Sequence, residues 1–213
     1  YDAVLIMNAD NIVDSDFLEK TNTAYEISGT KAIQVHRMSR NRDTGAARLA
    51  ATFDEINNYI FRQGHIAMGL SASVNSSGIV LDFKWFKDNV NKLRTSIEDK
   101  EIEALLLREG IFIDYFDDIN IFEEKANNTK ELHEKQGKYL SSQFNSFFSN
   151  IKYLPSAILN KQLDLIDKII QWILIPRTIL VTIIAMMSIL LPFIYMSLAI
   201  KWWLLGAILA FAF

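Results

Sequence analysis

Cysteine is absent from the 213-residue chain, which excludes disulfides, thiolate catalysis and Cys-ligated zinc. The three histidines, His36, His65 and His133, are scattered without an H-x-x-x-H pair, which argues against a His-rich metal site. Neither sign of charge dominates. The formal net charge is -3, and no basic stripe with interleaved aromatics is present, so no nucleic-acid partner is expected. Internal repeats and low-complexity linkers are also missing. There is no initiator methionine and no signal-like opening, and the chain breaks off inside the apolar ILAFAF, so it reads as an internal fragment of a longer protein lacking its N-terminal part.

Hydrophobic residues make up 50% of the chain and collect at its C-terminal end. From Thr178 to Ile200 no residue is charged. At about 1.5 Å per residue this run extends roughly 34 Å, against a hydrocarbon core of about 30 Å. It predicts a membrane-spanning helix, kinked at Pro192, with Lys201, Trp202 and Trp203 as headgroup anchors. LLGAILAFAF reads as a second, truncated span, so residues 178–213 are expected to form a transmembrane hairpin. Before it, over 155–177, Ile158, Leu159, Leu163, Leu165, Ile166, Ile169, Ile170 and Ile173 recur at near-helical spacing, opposite Lys161, Asp164, Asp167 and Lys168. This segment reads either as an amphipathic helix lying on the membrane surface or as a helix closing a core, and the two readings can hold on different faces. Arg177 would mark the cytoplasmic side of the first span, which makes the chain an integral membrane protein with residues 1–154 in the cytoplasm.

Residues 1–154 alternate strand-like and helix-like stretches, as one α/β unit does. Val4 to Met7 form a strand covered on both faces, as in a parallel sheet. Ser15 to Ser28 reads as a helix capped by Asp14 or Ser15, KAIQVHRM as a strand, and Ala46 to Met68 as one long helix. SASVNSSGIVLDF returns to strand, with Ser76, Ser77 and Gly78 suited to a tight turn or a close backbone approach. Ile97 to Glu109 reads as a helix with Glu98, Asp99 and Glu101 in its first turn and Gly110 as its stop, and IFIDYFDDINIF as one or two strands.

The opening strand ends in Asn8-Ala9-Asp10-Asn11. Taken alone this is an Asx turn, or the polar carboxyl edge where open α/β sheets place ligands. The order of features is more informative. Strand then N-A-D-N, an S-S-G turn, an E-D pair opening a helix, Thr129, Q-G-K-Y and C-terminal apolar helices together resemble the processive, membrane-bound family 2 glycosyltransferases, such as the synthases of cellulose, hyaluronan and poly-N-acetylglucosamine. The resemblance covers the whole chain. It implies a GT-A fold, a mixed sheet flanked by helices, that holds a nucleotide-sugar at the carboxyl edge.

The resemblance also implies roles for residues. The family's D-x-D motif matches Asn8-Ala9-Asp10, with Asp10 reaching a divalent ion, Mg2+ or Mn2+, on the sugar diphosphate and Asn8 offering a neutral oxygen where the family has a carboxylate. T-E-D matches Ile97-Glu98-Asp99, with Asp99 as the base toward the acceptor hydroxyl and Glu98 beside it; read without the resemblance, the pair compensates a helix dipole. For Q-x-x-R-W two registers are open. Gln136 is its glutamine, with Tyr139 and Leu140 in place of Arg and Trp, or Lys135 stands for the glutamine with Lys138 and Tyr139 as conservative replacements; we prefer the second. Ser77 and Gly78 match a small segment lining the acceptor pocket. The implied partners are a nucleotide-sugar donor, foremost a UDP-sugar, a glycan or lipid-linked acceptor, and membrane lipids. The implied activity is inverting glycosyl transfer; the altered Asn8 and Q-x-x-R-W positions leave open a second reading, a catalytically impaired binding or assembly subunit at the membrane.

Overall fold

The apolar run at the start of the chain forms β1 (Ala3–Ile6) and stops at the polar turn. Val4 and Ile6 face one cluster of core residues, and Ala3, Leu5 and Met7 face the other. Both faces are thus covered, yet β1 pairs antiparallel with β4 (Ile79–Asp82). A continuous apolar run reports coverage of both faces; it does not report strand direction. The computed structural model describes residues 1–93, 98–125, 129–173 and 177–212, which fall into two compact units, Tyr1–Ile173 and Leu174–Phe213.

In the first unit β2 (Ile12–Val13) leads to α1 (Phe17–Ser28), which ends where Gly29 turns left-handed at φ 62°. β3 (Ala32–Ser39) follows. α2 (Gly45–Asn58) starts at Thr44, whose hydroxyl accepts the Ala47 N–H at 3.1 Å. The predicted long helix runs on through a π-helical turn (Tyr59–Gln63) into α3 (Gly64–Ala67). After β4 come α4 (Phe83–Asn89), α5 (Glu98–Arg108) and β5 (Ile113–Glu123). β5 is one strand. It carries a register jump, with Val35 opposite Phe116 but His36 opposite Asn120. The sheet runs β1-β4-β3-β5-β2, parallel only between β3 and β5, and so is mixed.

Side chains alternate across this sheet. Ala32, Ile79, Leu81, Ile113 and Tyr115 pack with Trp85, Ile102, Leu106 and Leu107 on one side. Ile33, Val35, Val80 and Ile121 pack with Phe17 and Ala24 of α1 on the other. α6 (Thr129–Asn150), α7 (Leu154–Leu159) and α8 (Leu163–Ile173) complete the unit. α7 and α8 give Ala157, Leu165, Ile169 and Trp172 to the first core and leave Leu159 and Leu163 exposed. The polar side of α8 is not wholly solvated either, because Lys168 is fully buried.

The second unit corrects the transmembrane hairpin. The apolar run is two helices, α9 (Arg177–Ile194) and α10 (Met196–Ala212), separated at Tyr195. Pro192 has no N–H to give the Ser188 carbonyl one turn back, and its ring crowds that carbonyl. Trp203 Nε1 donates to this oxygen at 3.3 Å, and Trp202 Nε1 donates to Ser188 Oγ at 3.0 Å. The indoles read as headgroup anchors therefore bind α9. With 18 and 17 residues the helices are about 27 and 26 Å long. Among the described residues no helix is long and apolar enough to cross a membrane. That finding overturns the transmembrane part of the expected fold, and with it the integral-membrane placement and the cytoplasmic orientation drawn from Arg177.

Candidate functional site

The turn after β1 is built from its own side chains. Asn8 N–H donates to Asn11 Oδ1 at 3.0 Å and to Ser77 Oγ at 3.3 Å, and Ser77 Oγ donates to Asn11 Oδ1. Ser77, from the loop before β4, is fully buried beneath the turn. Its neighbour Gly78 sits at φ 77°, donates to Ile6 O at 2.9 Å and accepts from Val35 N–H at 2.9 Å. Gln34 locks the same loop, with Nε2 on Ser77 O at 2.9 Å and Oε1 accepting the Asn75 N–H at 2.8 Å. This leaves Asp10 exposed at the tip, with no bonded partner among the described residues.

The other end of that loop is held by α5. Glu103 is fully buried, accepts the Val74 N–H at 3.0 Å and pairs with Lys100 Nζ at 3.0 Å. Lys100 Nζ also reaches Val74 O at 3.4 Å and lies 5.8 Å from the centre of the Tyr139 ring. Asp99, largely buried, accepts the Lys100 N–H at 2.9 Å, and its charge is felt by Lys100 and by Arg37. Burial pushes the Glu103 carboxyl up, but Lys100 and Lys168 outweigh it and hold that carboxyl below the usual range. Burial likewise opposes the Lys100 cation, and Glu103 overcomes it, so Lys100 is held above its ordinary value.

One loop thus joins the candidate positions. Val74 is tied to the first turn of α5 and Ser77 to the Asn8–Asn11 turn, and three residues of chain span at most about 11 Å. Lys138 and Tyr139 of α6 are exposed, with Tyr139 over Lys100. Ile97 lies outside the described residues, as do the side chains of Glu98, Lys135, Gln136 and His133.

Several residues near this loop were not legible as a site. His36, Glu55, Asn58, Tyr59, Tyr115 and Asp117 are among those lining a cavity of about 140 Å³. His36 Nδ1 lies 2.8 Å from Tyr115 Oη, and Asn58 Nδ2 lies 3.3 Å from His36 Nε2. Burial lowers the His36 pKa, which suits a neutral ring bonded at both nitrogens. Arg37 beside it pairs with Asp54 at 3.2 Å and Glu123 at 3.0 Å, and Lys125 pairs with the same two carboxylates. One signal did exist: Gln34 is a polar residue set between Ile33 and Val35 in β3, and it is fully buried.

Among the described residues no group of three or more His, Asp or Glu side chains converges as a metal site. One free carboxylate on an exposed turn fits a cation that shares its coordination with diphosphate and water, the mode typical of Mg2+. No curated protein matches the chain. The family model for glycosyl transferase family group 2 matches residues 3–213. The chain therefore belongs to glycosyl transferase family group 2 and is a glycosyltransferase, acting on a nucleotide-sugar donor and an acceptor.

Proposed function

We propose that the chain performs inverting transfer of a sugar from a UDP-sugar to a glycan or lipid-linked acceptor, with Asp10 and Asp99 as its central carboxylates. The supporting observation is the loop over residues 73–78, which binds the Asn8–Asn11 turn through Ser77 and the start of α5 through Val74. Asp10 would hold Mg2+ or Mn2+, which when bound neutralises charge on the departing diphosphate. Asn8 would add a neutral oxygen at the same turn, and Lys138 would supply a cation toward the diphosphate. Asp99 takes the proton from an acceptor hydroxyl. The freed oxygen attacks the anomeric carbon from the face opposite the diphosphate, the carbon–phosphate-oxygen bond breaks, and the nucleoside diphosphate leaves with the electron pair.

Tyr139 would give the acceptor sugar a stacking face. The cavity beside His36 combines an exposed aromatic, Tyr59, with planar polar groups, a lining suited to a saccharide's alternating apolar faces and hydroxyls. Nucleotide release from the full chain across UDP- and GDP-sugars with Mn2+ tests the reading. Asp99→Asn should lower turnover about 10²- to 10⁴-fold while UDP·Mn2+ affinity stays within about twofold. Asp10→Asn should weaken Mn2+-dependent UDP binding about tenfold. Unchanged turnover in Asp99→Asn, or unchanged nucleotide binding in Asp10→Asn, overturns the assignment.

A further inference from the structure

Lys168 lies in α8 and is fully buried, an unusual place for a lysine. Its ammonium donates to Ser73 Oγ at 2.7 Å and to Gln171 Oε1 at 3.1 Å, and lies 3.8 Å from Glu103 Oε1. Burial brings its pKa down to about 8, with Lys100 and Arg62 adding repulsion and Glu103 opposing it. A methionine would fill similar volume without desolvating a charge, and Glu103 would keep Lys100 and the Val74 N–H as partners. Stability therefore gives no reason for the ammonium.

The contacts suggest another reason. Ser73 is also held by Arg62 Nε on its carbonyl at 2.9 Å and by Phe61 O on its N–H at 2.9 Å. Val74 is gripped on both sides of its peptide unit, by Glu103 and by Lys100. Lys168 touches the loop at Ser73 and reaches, through Glu103, the residue that follows it. α8 also reaches the chain two residues before this loop, where Asp164 accepts the Ser71 N–H at 2.5 Å. Three residues after Val74, Ser77 supports Asn8 and Asn11.

We propose that Lys168 is a positioning residue for glycosyl transfer, clamping Ser73 and Glu103 so that the loop over 73–78 holds the Asn8–Asn11 turn in its nucleotide-binding form. This rests on the reading of that turn as the donor site. Lys168 touches no substrate; it acts through Ser73.

The test compares the full chain with Lys168→Met, Ser73→Ala and the double variant. Melting temperatures establish folding, hydrogen exchange reads the Val74, Asn75 and Asn11 amides, and calorimetry reads binding of UDP·Mn2+ and GDP·Mn2+. Each single variant should lose about tenfold in protection at those amides and about tenfold in nucleotide affinity. Lys168→Met should melt no lower than the parent. The double variant should fall no more than about twofold below either single one, because both remove one link. Undiminished protection in Lys168→Met, losses that multiply in the double variant, or a parent that binds nucleotide with an affinity Lys168→Met leaves unmoved each overturn the clamp. A parent that binds neither nucleotide overturns the donor-site reading itself.

Discussion

Gly78→Ala isolates the cost of close packing under the candidate site. Gly29 and Gly78 both take left-handed backbone, at φ 62° and 77°, and there an added Cβ costs about 1 kcal/mol by conformation alone. At Gly29 the Cβ would meet nothing within 4 Å. At Gly78 it would stand 2.6 Å from Val35 Cγ2 and 3.4 Å from both Gln34 Nε2 and Ile121 Cδ1. Val35 is β-branched, lies on a central strand and is fully buried, so it has little room to turn aside. Overpacking of this kind adds about 1–3 kcal/mol. Gly78→Ala should therefore cost about 2–4 kcal/mol and Gly29→Ala about 1 kcal/mol. Urea unfolding followed by circular dichroism, with comparable m-values, measures both. The displaced backbone carries Ser77 with it, so nucleotide affinity should fall in Gly78→Ala and hold in Gly29→Ala. Equal destabilisation of the two variants would refute the packing argument.

Removing Arg37 should be costly, since Asp54 and Glu123 are paired with it in a largely buried site. Lys125 remains on both carboxylates, so Arg37→Ala is expected near the lower end for a broken buried pair, about 3 kcal/mol by urea unfolding; a loss under about 1 kcal/mol would contradict it. Lys168 should give stability a distinct pH dependence. Its folded pKa of about 8 lies below the ordinary lysine value of 10.5, so between these values the unfolded chain binds more protons and stability rises with pH. Glu103 and Lys100 of α5, Arg62 of the π-helical turn and Asp167 of α8 face the ammonium. Relative to Lys168→Met, the parent should gain on the order of 3 kcal/mol from pH 8 to 10.5, and parallel stability profiles would refute the depressed pKa.

β1, β3 and the helix that follows β3 were legible because each follows from local pattern, whereas β2 and α6 (Thr129–Asn150) were not read as elements. Alternation gave β3, spacing gave the helix from residue 45 to 67, and Gly110 marked a stop that the backbone makes at φ 70°. What failed depends on partners distant in sequence. A lysine on the charged side of an amphipathic segment reads as solvated, and only Ser73 and Glu103, brought in from elsewhere in the fold, make Lys168 internal. The apolar run read as one span by length because nothing local shows that Trp203 takes the Ser188 carbonyl that Pro192 cannot serve. The candidate carboxylates could be named from their order along the chain, but the loop that ties their turns together could not, since its bonds run through Gln34, Glu103 and Lys100.

The bonds that close the first turn show what the side chain at position 8 does and does not decide. Position 8 contributes its backbone N–H to Asn11 and Ser77, and the Asn11 N–H returns to Asn8 O at 3.1 Å. None of these bonds uses the side chain at position 8. The turn's conformation is therefore independent of whether that side chain is charged, and substitution there changes the local field without moving Asp10. Capping the strand and presenting a carboxylate are not competing accounts of N-A-D-N. The Asx bonds close the turn, and closing it is what sets Asp10 outward.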